Sequence, residues 1–227
     1  MDYRNPDSEE IKRLVKYLSE IPFDYNVKPE EFGYTNPVLI CLDAVLSINR
    51  KYYNFVVPRL KYFQANYPEV HTLRQISTLI KELGYEGFYV VWNYKHVARV
   101  KTLEELIDKF INYVSKIQQS DDLIAMKMWA EKSSVKDYAK FGVRGIGLAT
   151  YQYIRMMLGV STVKPDVHIK RAVSQALGRN VADYEAIMLI ERASAVMNLP
   201  TTCVDHNLWR HFAADSDRAE QAGQELA

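Results

Sequence analysis

The chain has 227 residues, of which 48% are hydrophobic and 25% charged, with nine glycines and eight prolines. This composition is typical of globular proteins and excludes disordered, collagen-like and low-complexity chains. No apolar run approaches the roughly 18 residues of a membrane span, and the polar, acidic start of the chain predicts no secretory signal. The formal net charge is +1. Residues 214–227 carry four acids against one arginine, so the remainder is mildly basic, well short of strongly basic nucleic-acid-binding domains.

Cysteine is rare, with Cys41 and Cys203 as the only two. The chain therefore predicts neither a disulfide framework nor a metal site built from four of its own thiols. We expect a reducing, intracellular location in the cytoplasm, nucleoid or nucleus.

Apolar residues recur every three or four positions along most of the sequence, the spacing of amphipathic helices. The first stripe runs from Ile11 to Leu18, with Asp7 or Ser8 as its N-cap. Asn36 and Pro37 are the expected cap and first residue of a largely apolar helix that should lie in a core. Further helices are predicted at residues 54–66, 102–118, 121–131, 133–141, 148–158, 166–177, 181–198 and 205–213.

Smaller signals complete the prediction of an all-α fold. Thr72 and Thr102 are candidate caps, and Glu105, three residues after Thr102, fits a capping box. The segment Tyr89–Trp92 has strand-forming residues, but no alternating partner segment accompanies it, which favours a short buried helix. The Ala/Gln/Glu-rich residues 214–227 predict a flexible tail.

Residues 141–150, FGVRGIGLAT, depart from the helical pattern. Gly145 and Gly147 flank Ile146 between two predicted helices, and glycines allow the tight turn of such a hairpin. The second helix would begin there with unpaired amides and partial positive charge, an end that binds phosphate. A plain turn between antiparallel helices is the alternative, and this segment alone favours neither.

A second distinctive segment, GVSTVKPDVHIKR, covers residues 159–171. Its loop leads from Gly159 to Pro165, and Asp166 follows at the predicted N-terminus of a helix, where a carboxylate stays ionised. Taken alone, a Pro-Asp pair is most often only a helix cap.

Together, the helix, G-x-G hairpin, helix, Gly/Pro loop and aspartate resemble the helix-hairpin-helix (HhH-GPD) DNA glycosylases, the superfamily of endonuclease III and the MutY adenine glycosylase. Upstream, Asn36–Ile40 and Leu46–Asn49 resemble the first barrel helix of the family, and Gly87 with Asn93–Lys95 matches its middle more weakly. Downstream, Asp166–Arg171 is similar to the run that begins with the catalytic aspartate.

The likeness spans about residues 30–175 and implies a two-lobed helical fold with a DNA cleft between the lobes. One lobe is expected to be a six-helix barrel at residues 36–160, with the helix-hairpin-helix at about 133–158. Residues 1–35 and 161–213 would form the second lobe. The implied partner is double-stranded DNA that contains a damaged or mismatched base. The protein is expected to be a monomer and to bind no membrane.

The resemblance implies a base-excision repair enzyme that flips a base and hydrolyses its N-glycosidic bond. Asp166 would stabilise positive charge at C1′ and orient the attacking water. Bifunctional members carry a nucleophilic lysine where this chain has Ala149, and a methyl group cannot attack the sugar. We therefore expect a monofunctional enzyme, with Lys164 as the candidate substitute amine or as a solvated loop residue.

Cofactor expectations follow from the same likeness. Cys203 stands alone where many members hold an iron–sulfur cluster on four cysteines, so no cluster is expected. A monovalent cation held by the hairpin backbone is the one ion that the likeness allows. Arg144 replaces the proline usual before the first hairpin glycine, either as an extra cation beside the DNA backbone or as a neutral change.

The remaining assignments concern DNA contacts and the base pocket. Asn49 would enter the gap left by the flipped base, or would be a C-cap asparagine. The tyrosines and the histidine would contact the base, or would be ordinary packing residues. Expected at the DNA backbone are Arg144, Gly145, Ile146, Gly147, Leu148, Ala149, Lys170 and Arg171, and expected at the base pocket are Tyr52, Tyr151, Tyr153 and His168.

Two other functions stay open. A helix-hairpin-helix DNA-binding protein without catalytic activity would need the hairpin but not Asp166. An unrelated helical interaction protein would use the G-x-G only as a turn, and would not bind DNA.

Overall fold

The computed structural model describes residues 8–25 and 33–224, with side chains as far as Phe212. These two segments contain helices and no strand, which confirms the all-α prediction. None of the described helices combines the length and apolarity needed to cross a membrane. A π-helical turn at Tyr52–Val56 leads into α3, and a 3₁₀ helix at Val135–Lys140 precedes α8. The α-helices are α1 Glu9–Ser19, α2 Pro37–Leu46, α3 Val57–Asn66, α4 Leu73–Gly87, α5 Tyr89–Trp92, α6 Val97–Ile117, α7 Asp122–Lys132, α8 Leu148–Met157, α9 Val167–Leu177, α10 Asp183–Val196 and α11 Thr201–Gln224.

The chain separates into two compact units. The central unit is Gly33–Gly159, and the terminal unit combines Met1–Phe32 with Val160–Ala227. Each unit has its own buried apolar residues.

Helix α2 is the core of the central unit, with all ten of its residues buried. It packs against α3, α4, α6, α7 and α8. Asn36 caps it as predicted, since its side chain accepts a hydrogen bond from the Val38 amide at 2.9 Å. Pro37 follows as the first helical residue, where its missing N–H has no cost. Thr72 likewise caps α4 in a capping box with Gln75.

The predicted capping box at Thr102 and Glu105 is wrong. Helix α6 begins five residues earlier, at Val97, because the His96 side chain caps it by accepting from the Arg99 amide. Thr102 lies inside the helix, where its hydroxyl donates to the carbonyl of Ala98 at 3.0 Å. The S/T-x-x-E spacing also occurs within helices, so the pattern alone does not locate a helix start.

The terminal unit is built from α1, α9, α10 and α11, which pack on one another. Ser8 caps α1 by accepting from the Ile11 amide, while its alternative, Asp7, lies outside the described residues. Arg179 joins two helices, since it donates to Glu10 of α1 and Glu185 of α10 at 2.7 Å each.

Helix α11 differs from the prediction at both ends. It begins at Thr201 rather than residue 205, and it continues to Gln224, through most of the segment expected to be a flexible tail. The alanines, glutamines and glutamate of this segment favour helix, which explains the longer element. Residues 225–227 of the expected tail lie outside the described residues.

Gly145 lies in close contact with Thr102 of α6. Its φ is +82°, and a Cβ built there would meet the Thr102 hydroxyl oxygen at 2.6 Å. We expect Gly145→Ala to lower the free energy of unfolding by about 1–2 kcal/mol from the backbone strain alone, and by more from the clash. Urea denaturation followed by circular dichroism measures the loss.

The matched control is Gly147→Ser, because Gly147 has an ordinary φ of −82° and open space around the added Cβ. Serine also caps helices well, so this variant should be neutral or slightly stabilising. The double variant Gly145→Ala/Thr102→Ala removes the clash but keeps the backbone strain. It should therefore regain only the part of the free energy of unfolding that the clash removes. If Gly145→Ala is as stable as the wild type, the structure does not require glycine at this position.

Candidate functional site

The G-x-G segment is a tight loop held down by three apolar side chains. Phe141, Val143 and Ile146 are buried, each at most 7% exposed, whereas Arg144, Gly145 and Gly147 are exposed. Positive φ values at Gly142 (+70°) and Gly145 (+82°) let the chain reverse between these anchors. The helix predicted at residues 133–141 is the shorter 3₁₀ helix at Val135–Lys140. The loop therefore presents backbone, rather than apolar side chains, to solvent.

Helix α8 begins directly after this loop, with Gly147 as its N-cap. No side chain caps it, so the amides of Leu148 and Ala149 have no acceptor among the described residues. Such an end carries partial positive charge and unsatisfied donors. The arrangement that the sequence predicts for phosphate binding is present at the level of the backbone.

Arg144 is bound to Glu105 of α6 through both its backbone and its side chain. Its backbone amide and its Nε both donate to Glu105, at 2.9 Å and 2.6 Å, and its Nη2 completes the ion pair. Hydrogen bonds from Arg144 lower the pKa of the Glu105 carboxyl group. The charge of Arg144 is thus already compensated, and the side chain fastens the hairpin to α6.

Asp166 is the N-cap of α9, as predicted. Its Oδ1 accepts from the amides of His168 at 2.9 Å and Ile169 at 3.1 Å. Its Oδ2 accepts no hydrogen bond from any described residue. The helix end therefore fixes the carboxylate and leaves one of its oxygens open to water or to a ligand.

The loop before Asp166 is anchored at three points within the terminal unit. Ser161 accepts from the Thr201 amide at 3.0 Å, and the Thr162 hydroxyl donates to Glu191 at 3.2 Å. The Lys164 amide donates to Oδ1 of Asp205 at 2.8 Å. These three hydrogen bonds hold the loop, and with it Asp166, in a defined place.

Asp205 is a residue that the sequence interpretation missed. It lies on α11 and is 6% exposed. Burial, followed by the nearby charge of Asp166, raises the pKa of its carboxyl group to about 8. The sequence feature that could have indicated Asp205 is an acidic residue between Val204 and Leu208 on an apolar helix face.

Asp205→Asn should remove a pH dependence of stability. Between the ordinary pKa of 3.8 and about 8, the folded protein keeps a proton that the unfolded chain has lost. Stability therefore falls as pH rises through this window, by at most about 1.4 kcal/mol per pH unit. The amide keeps the acceptor for Lys164 and does not titrate. Urea denaturation at pH 5, 6, 7 and 8 should give a flatter profile for the variant.

The control for that series is Asp121→Asn, which makes the same change at an exposed cap of the central unit. Its profile should parallel that of the wild type. If Asp205→Asn and the wild type lose stability equally from pH 5 to pH 8, Asp205 is not protonated in the folded protein.

A second missed carboxylate, Asp43, lies in the middle of α2 and is completely buried. Three phenols donate to it: Tyr34 at 2.6 Å, Tyr52 at 3.1 Å and Tyr153 at 3.2 Å. Burial, followed by the charge of Asp43, raises the pKa of Tyr52 to about 12. We call these four residues the Asp43 cluster. Its signal in the sequence was a lone acid within the apolar run VLICLDAVL.

The base-pocket candidates divide into separate places. Tyr52 and Tyr153 come together in the Asp43 cluster, both half-buried. Tyr151 is only 1% exposed, packs against Trp129 and Phe141, and donates to the Ser134 carbonyl at 2.9 Å. In this structure it is a packing residue, the second of the two alternatives, and its ring has no open face.

His168 and the predicted backbone contacts show mixed environments. His168, the second residue of α9, is half-buried, and its Nδ1 has no partner among the described residues. Lys170 is paired with Asp183 at 2.8 Å, whereas Arg171 is exposed and lies 5.9 Å from the centre of the Phe212 ring.

Lys164 and Asn49 also have defined places. Lys164 is half-buried in the anchored loop. Asn49 is exposed, with a left-handed φ of 55°, two residues beyond the cap Ser47. It is therefore not the C-cap of α2, and it stands at the tip of a turn.

One family model matches the chain. It describes a domain of unknown function, DUF8548, and the match covers residues 12–213. No curated protein and no solved structure matches the chain.

Proposed function

We propose that this chain, which belongs to the DUF8548 family, is a monofunctional DNA N-glycosylase of base excision repair. It flips a damaged or mismatched base from duplex DNA and hydrolyses the N-glycosidic bond with the help of Asp166. Its support is the combination of hairpin and aspartate in the sequence with the local geometry of each.

The observation that carries the proposal is the environment of Asp166. Two helix amides hold its Oδ1, an anchored loop precedes it, and its Oδ2 accepts nothing from the described residues. Positive charge develops at C1′ as the base leaves, and a preoriented carboxylate stabilises that charge without reorganising. The same oxygen can orient the attacking water.

The hairpin supplies the backbone contact in this proposal. Amides at the uncapped start of α8 bind one phosphate, which positions the duplex without reading its sequence. The loop also offers neutral carbonyl oxygens, which suit a monovalent cation, although the Val143 carbonyl already accepts from the Ile146 amide. Arg144 contributes by holding the hairpin on α6 rather than by adding net charge.

The Asp43 cluster is the proposed wall of the base pocket. Tyr52 is half-buried, so its ring is available to a base while its hydroxyl stays bonded to Asp43. A buried carboxylate behind three phenols polarises their O–H bonds and holds the rings in place. Of the three predicted pocket tyrosines, the proposal keeps Tyr52 and Tyr153.

Asp166→Asn should keep DNA binding and abolish base excision. Asparagine is as good a helix cap as aspartate, so α9 should remain intact. The amide carries no charge for the developing cation, and losing such a contact typically costs about 10²–10³ in rate. Single-turnover excision is measured on a panel of damaged and mismatched duplexes, with alkali to cleave the abasic products.

Asp121→Asn is the matched control, because Asp121 caps α7 in the same way, accepting from the Ile124 amide at 2.9 Å. It should excise like the wild type. Near wild-type excision by Asp166→Asn would remove Asp166 from the mechanism. DNA binding by the wild type without excision of any base would instead favour the catalytically inactive DNA-binding protein.

The enzyme should leave its abasic product uncleaved and form no Schiff base with it. Ala149 occupies the position of the lyase lysine, and no amine is available there. Borohydride trapping on a substrate duplex, followed by denaturing electrophoresis, should show no covalent adduct.

Lys164→Ala is the variant that separates two explanations if an adduct does form. An adduct that disappears in Lys164→Ala would place the amine in the loop before Asp166, and the enzyme would be bifunctional. Endonuclease III, which carries the lysine, is the positive control for trapping.

A further inference from the structure

Three arginines of the central unit converge on one aromatic residue, Tyr94. Nη2 of Arg50 donates to the Tyr94 hydroxyl at 3.0 Å, and the Arg59 guanidinium lies 5.5 Å from the centre of the Tyr94 ring. The Arg99 guanidinium is also close to Tyr94 and to Arg50. We call Arg50, Arg59, Arg99 and Tyr94 the arginine cluster.

The guanidinium groups are held by neutral groups. Arg59 lies over the ring of Phe55 at 3.6 Å and donates to the Phe55 carbonyl at 2.9 Å. Arg99 donates to the carbonyl of Ile48 at 3.2 Å. Carbonyls and rings orient these side chains without neutralising them, so the positive charges remain.

No carboxylate of the described residues lies within ion-pair distance of these three arginines. In contrast, Arg144 is paired with Glu105, Lys170 with Asp183, and Arg179 with two glutamates. Nε of Arg59 is also buried without any partner in the described part of the chain. Burial lowers the pKa values of Arg59 and Arg99, and the charge of Arg50 lowers both further. Three like charges without a counter-charge indicate a site for an anion.

Helix α6 connects this cluster to the hairpin. Arg99 lies near its start, whereas Thr102 touches the hairpin at Gly145 and Glu105 binds Arg144. Arg99 and Glu105 are six positions apart, which is about 9 Å along the helix axis. The same helix therefore holds the arginine cluster and the hairpin close enough together for one nucleic-acid backbone to contact both.

We propose that Arg50, Arg59 and Arg99 bind a backbone phosphate of nucleic acid, as a second phosphate site beside the hairpin. This inference rests on the proposed function, since it takes DNA as the partner. Planar guanidinium groups suit phosphate because they donate two parallel hydrogen bonds. Arg59 and Arg99 are already oriented, and the exposed Arg50 completes the site next to Asn49.

The test compares Arg50→Gln with Arg74→Gln in the full chain. Arg74 is an exposed arginine of the same unit that donates to the Ser115 hydroxyl at 3.4 Å, so both variants lose one exposed charge. Binding to undamaged duplex DNA is measured by fluorescence anisotropy across a range of salt concentrations. We expect Arg50→Gln to weaken binding several-fold and to lower the salt slope by about one. Arg74→Gln should leave both quantities near the wild-type values.

Arg59→Lys adds a variant that keeps the charge and loses the planar fork. It should weaken DNA binding several-fold while the salt slope stays unchanged. Melting followed by circular dichroism identifies any variant that fails to fold. If Arg50→Gln behaves like Arg74→Gln and folded Arg59→Lys binds DNA like the wild type, the cluster is not a DNA phosphate site.

A further arm uses inorganic phosphate at constant ionic strength, followed by NMR of the arginine side chains. Phosphate shifts in the wild type that vanish in Arg50→Gln, together with unchanged DNA binding by that variant, would identify a free-anion site and overturn the proposal. The results distinguish a failure of this inference from a failure of the proposed function. Arg50-dependent DNA binding without base excision refutes the glycosylase alone, whereas excision with Arg50-independent binding refutes only this inference.

Discussion

The complete burial of α2 is the constraint on which the central unit depends. Every residue from Pro37 to Leu46 is inside, so the surrounding helices must cover the whole circumference of this helix. A buried carboxylate is costly unless hydrogen bonds compensate it. Asp43 therefore requires three donors, and it brings Tyr34, Tyr52 and Tyr153 from distant parts of the unit to one point. The same cost that shapes the core places two of the predicted pocket tyrosines side by side.

The terminal unit uses a buried carboxyl group differently. Burial, together with the neighbouring Asp166, raises the pKa of Asp205 to about 8, so its carboxyl group keeps a proton at neutral pH. A neutral carboxyl group can lie within an apolar interior and still accept a hydrogen bond from the Lys164 amide. In this way α11 fixes the loop that delivers Asp166 to the start of α9. Through this contact, one buried aspartate helps to keep a second aspartate in place nearby.

Some basic side chains at the surface form ion pairs, whereas others have no acidic partner among the described residues. Arg144, which the hairpin motif would offer to a phosphate, is committed to Glu105, and Lys170 is committed to Asp183. The arginines around Tyr94 have no such acidic partner among the described residues. A formal net charge of +1 is thus compatible with an anion-binding surface, since the distribution of charge decides what a surface attracts.

The sequence by itself determined the features that depend on neighbours along the chain. Caps at Ser8, Asn36, Thr72 and Asp166, the all-helical class and the turn at Gly145 follow from local hydrogen bonds and backbone freedom. Only the tertiary structure decided which side chains meet. Asp43 with its tyrosines, Asp205 with Lys164, and Glu105 with Arg144 instead of Thr102 join residues that are 9 to 110 positions apart. Periodicity reports which face of a helix is buried, but it carries no information on what that face contacts, so these partners required the fold.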